Sequence, residues 1–227
     1  MTERPDSPRS RRERPAKPAL SREGIVAAAV ELLRAEGLRK VTMRRLAQEL
    51  DTGPASLYVY VRNTDELHAA VLDELLGTVG PAPREGSWRD RLEQVLTAYT
   101  MMLFEHPTLA RAALTARPSG PNYLNLIETL LALLDEGGVP PAQAAWGVDM
   151  LLQLATAQAA EHSEQDASPT HQDDWDALVG ALRNASPRTH PHIAATVGVL
   201  LSGPPRARMS WAFQTLINGI ERTAVPE

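Results

Sequence analysis

Hydroxyl, aromatic and guanidinium side chains are concentrated in one short stretch of this sequence. Ser56, Tyr58 and Tyr60 alternate with apolar residues, and Arg44 and Arg62 flank them. Hydroxyl groups can donate hydrogen bonds to phosphate oxygens or base edges, and tyrosine rings can contact the methyl group of thymine. An arginine can reach a guanine or a phosphate. These residue types at this spacing predict contact with nucleic acid.

Charge is distributed unevenly along the 227 residues. Residues 1–62 carry 13 basic and 8 acidic side chains, a balance of +5, whereas the remainder has a balance of −10. This asymmetry favours a polyanion as partner of the N-terminal quarter. The alternative, that the charges only keep the chain in solution, fits the same composition. Residues 1–20 are predicted to form a disordered basic arm. Its basic residues include Arg9, Arg11, Arg12, Arg14 and Lys17.

Four amphipathic segments lie between Ser21 and residue 77 and must position these side chains. Ser21 is a good N-cap for the first, and the tetrapeptide from Asp51 to Pro54 is a turn signal. Apolar periodicity predicts helices over Arg22–Glu36, Met43–Leu50, Ala55–Tyr60 and Thr64–Leu76. Leu57 is expected to point into the core between the first three helices, which leaves its polar neighbours outside. Two short helices behind a longer supporting helix form a helix-turn-helix, whose second short helix enters a major groove.

No strand pattern follows, so the predicted fold class is all-α. Further helices are predicted over Trp88–Glu105, Thr108–Ala116, Asn122–Glu136, Pro141–Ala160, Asp173–Asn184, Pro191–Leu201 and Pro205–Arg222. The polar stretch Glu161–Gln172 is predicted to be a loop. The expected domain organisation is a basic arm (1–20), a helix-turn-helix domain (21–76) and a helical effector-binding and dimerisation domain (77–227).

Several classes of function are disfavoured by what the sequence lacks. It contains no cysteine, which excludes disulfides, Cys-ligated zinc and a cysteine nucleophile. The His190-Pro191-His192 triplet lacks the spacing of a known metal motif, so no metal or other cofactor is predicted. No nucleophile elbow, phosphate loop or paired-carboxylate arrangement is present, which argues against an enzyme. No apolar run approaches the roughly 18 residues that a membrane span needs, and residues 1–18 do not form a secretory signal. We therefore expect a cytoplasmic protein.

The segment VTMRRLAQELDTGPASLYVYVRNTDELHAAVLDELLG, residues 41–77, closely resembles the DNA-binding domain of the TetR family of transcriptional regulators. The matching pieces are Thr42, the run Arg44–Ala47 and the segment Ser56–Leu67. The last of these is typical of the subgroup nearest to the tetracycline repressors. The segment FQTLINGIER, Phe213–Arg222, looks like the last helix of that family.

This resemblance implies a homodimer whose recognition helices enter successive major grooves, with half-sites about 34–36 Å apart. By resemblance, the DNA contacts come from Thr42, Arg44, Ser56, Tyr58, Tyr60 and Arg62. Thr64 is a further candidate, although many relatives carry Lys there, and loss of that charge would weaken the salt-dependent part of the affinity. The sites where tetracycline repressors hold a magnesium-chelated drug are not matched, so tetracycline is not expected as the ligand.

The predicted helices Pro141–Ala160 and Pro205–Arg222 carry apolar residues on nearly every face, which is typical of helices that are buried on both sides. Such a pair from each of two copies predicts a four-helix dimer core, and the alternative is the internal core of a monomer. The predicted dimer contacts are Leu151, Leu154, Phe213, Leu216, Ile217 and Ile220.

A ligand pocket is predicted among the helices that begin near Trp88, Thr108, Asn122 and Pro141. Its predicted wall residues are Met101, Met102, Phe104, Trp146, Met150 and Gln153. Gln153 is the polar group expected to point at the ligand, and a hydrogen bond across the dimer is its alternative. The apolar residues can equally be core residues, because methionines and aromatic residues at helical spacing more often pack than bind.

The sequence thus predicts a homodimeric repressor that a small hydrophobic ligand releases from a pseudo-palindromic operator. An activator or a ligand-independent regulator of the same fold is left open. An all-helical enzyme or small-molecule carrier is also left open, although Tyr58 and Tyr60 argue against it if they are exposed.

Overall fold

The computed structural model describes residues 19–115, 118–167 and 171–226, which form eleven α-helices and no strand. The all-α fold class is confirmed. The N-terminal helices are α1 (Arg22–Glu36), α2 (Met43–Glu49), α3 (Pro54–Leu57) and α4 (Thr64–Leu76). The others are α5 (Trp88–Phe104), α6 (Pro107–Ala113), α7 (Pro121–Glu136), α8 (Pro141–Ala167), α9 (His171–Arg183), α10 (Pro191–Leu200) and α11 (Pro205–Arg222). None of these helices is long and apolar enough to cross a membrane.

Three of the four N-terminal helices, α1, α2 and α4, begin at residues whose side chains cap them. Ser21, Thr42 and Asn63 each accept a hydrogen bond from the backbone N–H three residues ahead, at 3.0, 3.2 and 2.8 Å. Each cap satisfies an amide that the first turn of a helix cannot pair internally. Residues 1–18 of the predicted arm lie outside the described residues, but Leu20 packs partly buried against the core. The predicted arm is therefore too long at its C-terminal end.

A Schellman motif ends α2 and turns the chain toward α3. The Thr52 N–H donates to the Ala47 carbonyl at 2.9 Å, and the Asp51 N–H donates to the Gln48 carbonyl at 3.1 Å. Asp51 takes φ = 47° and so occupies the left-handed position that this motif requires. Asparagine and aspartate tolerate this conformation better than other side chains do. The predicted turn is thus present and continues directly into α3.

The second short helix is shorter than the sequence predicts. Pro54 occupies its first position, where a helix needs no N–H. The expected span Ala55–Tyr60 is wrong, because α3 ends at Leu57 and residues 58–60 form a turn closed by a Tyr60 N–H to Leu57 carbonyl bond of 2.9 Å.

Helix α4 belongs to both parts of the molecule. It packs against α1 in the N-terminal part and against α7 in the larger part. His68, in its first half, donates from Nε2 to the Val41 carbonyl at 3.0 Å, and Asp73, in its second half, accepts from the Tyr123 N–H at 2.9 Å. A displacement of α4 relative to the larger part therefore moves the helix-turn-helix.

The core of the larger part is formed mainly by aliphatic side chains of α5, α7 and α8. Leu96, Leu103, Leu130, Leu134 and Leu151 are all completely buried. A hydroxyl pair crosses this core, with Tyr99 Oη and Thr156 Oγ1 2.7 Å apart. Burial raises the pKa of the Tyr99 hydroxyl, so it is uncharged at neutral pH.

Helix α8 is longer than predicted. The expected loop over Glu161–Gln172 is wrong, because α8 continues to Ala167 and α9 begins at His171. Residues 168–170 lie outside the described residues. The part of this stretch that belongs to α8 contains Glu161, Glu164, Gln165 and Ala167, which are good helix formers. A polar composition therefore does not by itself end a helix.

Helices α9 and α10 pack against each other but contain no buried residue. Their exposed apolar side chains include Trp175, Leu178, Val199 and Leu200. A helix of only ten residues is marginal in water without tertiary packing. These apolar surfaces are therefore available to another molecule.

Candidate nucleic-acid interface

The polar and aromatic side chains of α3 and the turn after it form an exposed edge. Leu57 is completely buried and anchors this edge to the N-terminal core. Ser56, Tyr58 and Tyr60 are exposed, with Tyr58 at 52% of its full accessible area. The structure therefore places these three predicted residues together on the surface. Val59, at 80%, is more exposed than either tyrosine and was missed, because an aliphatic residue carries no hydrogen-bonding signal.

Two adjacent arginines of α2 have different environments. Arg44 is exposed. The Arg45 guanidinium is held by Glu36 at 2.6 Å and by Glu49 at 2.9 Å. Its hydrogen bond lowers the pKa of the Glu36 carboxyl. Arg45 thus ties α1 to α2, whereas Arg44 remains available to an external anion.

Arg62 and Glu66 form a clasp at the start of α4. The Arg62 backbone N–H and its Nε atom both donate to Glu66 Oε2, each at 2.9 Å. These bonds hold the pKa of the Glu66 carboxyl below its usual range, with a smaller contribution from the charge of Arg22. The Arg62 side chain is nevertheless 87% exposed, so its other N–H groups face solvent. Thr42 is exposed, and Thr64 is half-buried at the first position of α4.

The predicted pocket residues do not come together inside the chain. Met102 is buried, and the half-buried Phe104 ring lies 4.5 Å from the His162 ring, centroid to centroid. Met101, Trp146 and Met150 are each about half exposed, and Gln153 is exposed and donates to Asp149 Oδ2 at 2.6 Å. The side chains of these four therefore lie on outer faces of α5 and α8, and their role in ligand binding stays a prediction.

The predicted dimer residues lie mostly in the core of their own chain. Leu151, Phe213 and Ile217 are completely buried and Ile220 is nearly so. Side chains enclosed in this way offer little surface to a second copy, and their role as dimer contacts stays a prediction. Leu154 and Leu216 are half-buried against the same core.

A cleft of about 830 Å³ lies away from the predicted pocket. It is bounded by the connector after α4, by α5 and by the first turns of α11, and its lining includes Val79, Glu93, Ala98 and Met209. No group of three or more His, Asp or Glu side chains that could hold a metal ion occurs within the described residues.

Two family models match the chain and cover most of its length. Residues 25–71 match the model described as "Bacterial regulatory proteins, tetR family", and residues 80–224 match "Tetracyclin repressor-like, C-terminal domain". The chain belongs to the TetR family. The resemblance inferred from residues 41–77 is confirmed, and it extends through the larger helical part as well.

Individual relatives agree with the family. The crystal structure of a putative transcription regulator from Streptomyces coelicolor is 60% identical, covers 93% of this chain and 99% of that one, and has a TM-score of 0.78. The S. coelicolor TetR-family protein ActR, solved in complex with actinorhodin, is 35% identical over 89% of this chain and 96% of that one, with a TM-score of 0.78. An HTH-type transcriptional regulator of Saccharopolyspora erythraea is 37% identical over 54% of this chain and 52% of that protein, so the match spans about half of that relative.

TetR-family regulators bind DNA and small molecules, are dimeric, and are transcription factors, not enzymes. This chain is accordingly a DNA-binding transcriptional regulator with a helix-turn-helix domain. The exposed edge formed by α3 and the turn after it lies within the matched TetR N-terminal domain. Trp146 and Met150 of α8, both about half exposed, lie within the matched C-terminal domain.

Proposed function

We propose that this TetR-family protein is a homodimeric repressor that binds a pseudo-palindromic operator and is released from it by a small hydrophobic ligand. The observation that carries the DNA-binding part is the exposed edge formed by α3. Ser56, Tyr58 and Tyr60 present hydroxyl groups and rings to solvent although the intervening Leu57 is completely buried. A segment that served only to pack would have no reason to expose two tyrosines around a buried leucine.

Each DNA-binding residue has a proposed role. Tyr58, Tyr60 and Ser56 contact base edges and phosphates in the major groove. Arg44 and the exposed side of Arg62 neutralise phosphates, which gives the affinity its salt dependence. Thr42 accepts the Arg45 N–H as a helix cap, so its hydroxyl proton is available to a phosphate oxygen. Thr64 is half-buried and contributes less than the other six.

The dimer surface is proposed on the outer face of α8 together with Trp211 of α11. Trp146 and Met150 lie one helical turn apart on α8 and are 59% and 52% exposed, and Trp211 is 71% exposed. The two helices are in close contact near one end, because a Cβ at Gly147 would lie 2.7 Å from Ile220 Cγ2. Exposed apolar patches of this kind mark interaction sites in soluble proteins. The exposed apolar residues of α9 and α10 extend the surface available to a second copy.

The effector is proposed to bind among α5, α6, α7 and α8, where Met102 of α5 and the ring pair of Phe104 and His162, which joins α5 to α8, supply apolar and aromatic contacts. ActR, a TetR-family protein of similar structure, has been solved in complex with the small molecule actinorhodin, which supports a small-molecule effector for this chain. A ligand can release the operator only if it binds the released conformation more tightly than the DNA-bound one. A difference of about 1–3 kcal/mol is typical.

The test is to select bound fragments from a library of genomic duplexes with the purified protein at about 0.15 M salt. A pseudo-palindromic consensus, followed by raised transcription of the flanking gene when the regulator is deleted, is the expected result. Lowered transcription would make the protein an activator. No consensus, with binding that vanishes as salt rises, would overturn sequence-specific regulation. Actinorhodin serves as the first probe of release from the selected fragment.

A further inference from the structure

Helix α7 begins without a cap of its own. Its N-cap residue is Gly120, which has no side chain to bond the first turn, and that turn contains no acidic residue. Gly120 has φ = −82° and ψ = 172°, an extended conformation that any residue can adopt. The backbone conformation therefore does not explain the glycine.

Asp73 of α4 takes the place of the missing cap. It is only 8% exposed, and its Oδ1 atom accepts from the Tyr123 N–H at 2.9 Å. A Cβ atom at position 120 would overlap the Asp73 carboxylate, so the glycine is needed to admit this side chain from another helix. A buried carboxylate is costly unless it is hydrogen-bonded, and the N-terminus of a helix is a favourable place for a negative charge.

We propose that Asp73 is a positioning residue that couples α7 to α4 and thereby fixes the placement of the helix-turn-helix for operator binding. Asp73 lies about 14 Å along α4 from Thr64, at 1.5 Å per residue. Its bond to Tyr123 joins residues 50 positions apart in the chain. Gly77, which follows α4, lies close to Asn122 in the first turn of α7, since a Cβ at position 77 would lie 3.3 Å from Asn122 Nδ2. The C-terminal end of α4 is therefore in close contact with the N-terminal end of α7.

The far face of α7 connects this link to the effector region. Leu126, Leu130 and Leu134 are buried in the core that α7 shares with α5 and α8. A ligand that displaces these helices therefore also displaces the first turn of α7, and the Asp73 bond transmits the movement to α4. This inference rests on the proposed function, because it assumes that two helix-turn-helix units must be held at a defined separation on DNA.

The dependence of DNA affinity on the spacing of the operator half-sites distinguishes two roles for Asp73. It can position α4 and the helix-turn-helix, or it can only stabilise the start of α7. Affinity is measured for the selected operator and for a version whose half-sites are moved apart by about two base pairs. Wild-type protein is expected to prefer the selected spacing strongly. Asp73→Ala is expected to lose about tenfold in affinity for the selected operator and to discriminate far less between the two, since coupling of this size is typical of linked sites.

A double variant provides the matched control. In Asp73→Ala/Gly120→Ser the carboxylate is gone, so the serine has room and can cap α7 from its own N-cap position, as Ser87 caps α5. Thermal unfolding is expected to return toward the wild-type midpoint while the spacing preference remains lost. Asp73→Asn keeps a carbonyl acceptor for Tyr123, and its preference is expected to stay within about twofold of wild type.

The outcomes are distinguishable. If the double variant regains both stability and spacing preference, Asp73 only caps α7 and the inference is overturned. If Asp73→Ala does not fold, the double variant alone decides the question. If wild-type protein itself shows no spacing preference, the proposed dimeric operator binding is overturned, and the inference with it.

Discussion

The two ends of this molecule both expose large side chains, but of different chemistry. At the helix-turn-helix, the exposed residues around Leu57 are tyrosines, a serine and arginines. On the outer surfaces of α8 to α11 they are tryptophan, methionine, valine and leucine. Hydroxyl and guanidinium groups suit a hydrated polyanion, whereas a tryptophan or methionine gains by leaving water. This difference supports the proposed DNA contacts of the first region and the proposed dimer contacts of the second.

Neighbouring residues of α8 show how sharply this helix divides its surface. Leu151 is completely buried, and Met150, directly before it, is 52% exposed. Consecutive helix positions differ by about 100° in direction, so one residue can enter the core while the next faces outward. The following tests are arranged from the largest expected effect to the smallest.

Leu151→Ala is expected to lower the free energy of unfolding by about 2–5 kcal/mol, because it opens a cavity in the core. Leu124→Ala is the matched control. Leu124 of α7 is 59% exposed, and its truncation is expected to change stability by no more than about 0.5 kcal/mol. Urea denaturation of both variants measures the difference. Equal losses would show that the outer and inner faces are not distinct.

Met150→Glu is expected to weaken the dimer by about 2–4 kcal/mol, because it places an unpaired charge in the proposed interface. Met101→Glu supplies the control, since Met101 is 47% exposed on α5 and lies outside the proposed dimer surface. Sedimentation at several protein concentrations gives the two dissociation constants. A dimer insensitive to Met150→Glu but dissociated by Met101→Glu would place the interface elsewhere.

Tyr58→Ala is expected to weaken operator binding by about 1–3 kcal/mol, the range for a side chain that contacts a base edge. Tyr58→Phe removes only the hydroxyl and is expected to lose about 0.5–1.5 kcal/mol. Gel-shift titrations at one salt concentration measure both variants. Wild-type affinity in the alanine variant would remove Tyr58 from the DNA contacts.

Arg44→Ala is expected to reduce the slope of log affinity against log salt by about 1, because one phosphate contact is lost. Arg45→Ala, one residue along, is expected to leave the slope unchanged, since Glu36 and Glu49 already hold that guanidinium. Titrations at several salt concentrations give both slopes. A reversed order would show that Arg45 exchanges its carboxylates for phosphates on binding.

Glu66→Gln is expected to lower stability at pH 7 by less than about 1 kcal/mol. The Arg62 N–H groups lower the pKa of the folded Glu66 carboxyl. The stabilisation of the folded state by the ionised Glu66 carboxylate is therefore complete above the ordinary glutamate pKa of about 4.3. It is lost as the pH falls through the lowered pKa of the folded state. Unfolding curves of the variant and the wild type should converge as the pH is lowered toward 3. A difference in stability between the variant and the wild type that grew as the pH fell would contradict a stabilising interaction between Arg62 and Glu66.

Local signals were sufficient for most of the helix-turn-helix. Ser21 and Thr42 cap the helices that the sequence assigned to them, and Leu57 is buried as its position in the pattern predicted. The error at Ala55–Tyr60 was one of length, because the chain leaves α3 in a turn that helical periodicity does not distinguish from a last helical turn. With Leu57 as its one buried residue, α3 leaves little choice about which face is inward.

Local patterns were not sufficient to assign the faces of α8 and α11. Both helices carry apolar residues on more than one face, and periodicity does not say which face meets the core of its own chain. Trp146 and Met150 were predicted to line a pocket and lie outside, whereas Leu151 and Phe213 were predicted to meet a partner and are enclosed. The close approach of α8 and α11, where a Cβ at Gly147 would lie 2.7 Å from Ile220 Cγ2, is a contact that periodicity does not reveal.

The sequence by itself determined the all-α class, the caps and the order of helices, because these depend on interactions within a few residues. It also determined the family, through the run of residues 41–77. Only the tertiary structure decided which apolar faces are enclosed, and only it revealed the bond from Asp73 to Tyr123, across 50 residues, that explains Gly120. Such contacts depend on how distant helices pack together, and burial is a property of that packing that no local pattern contains.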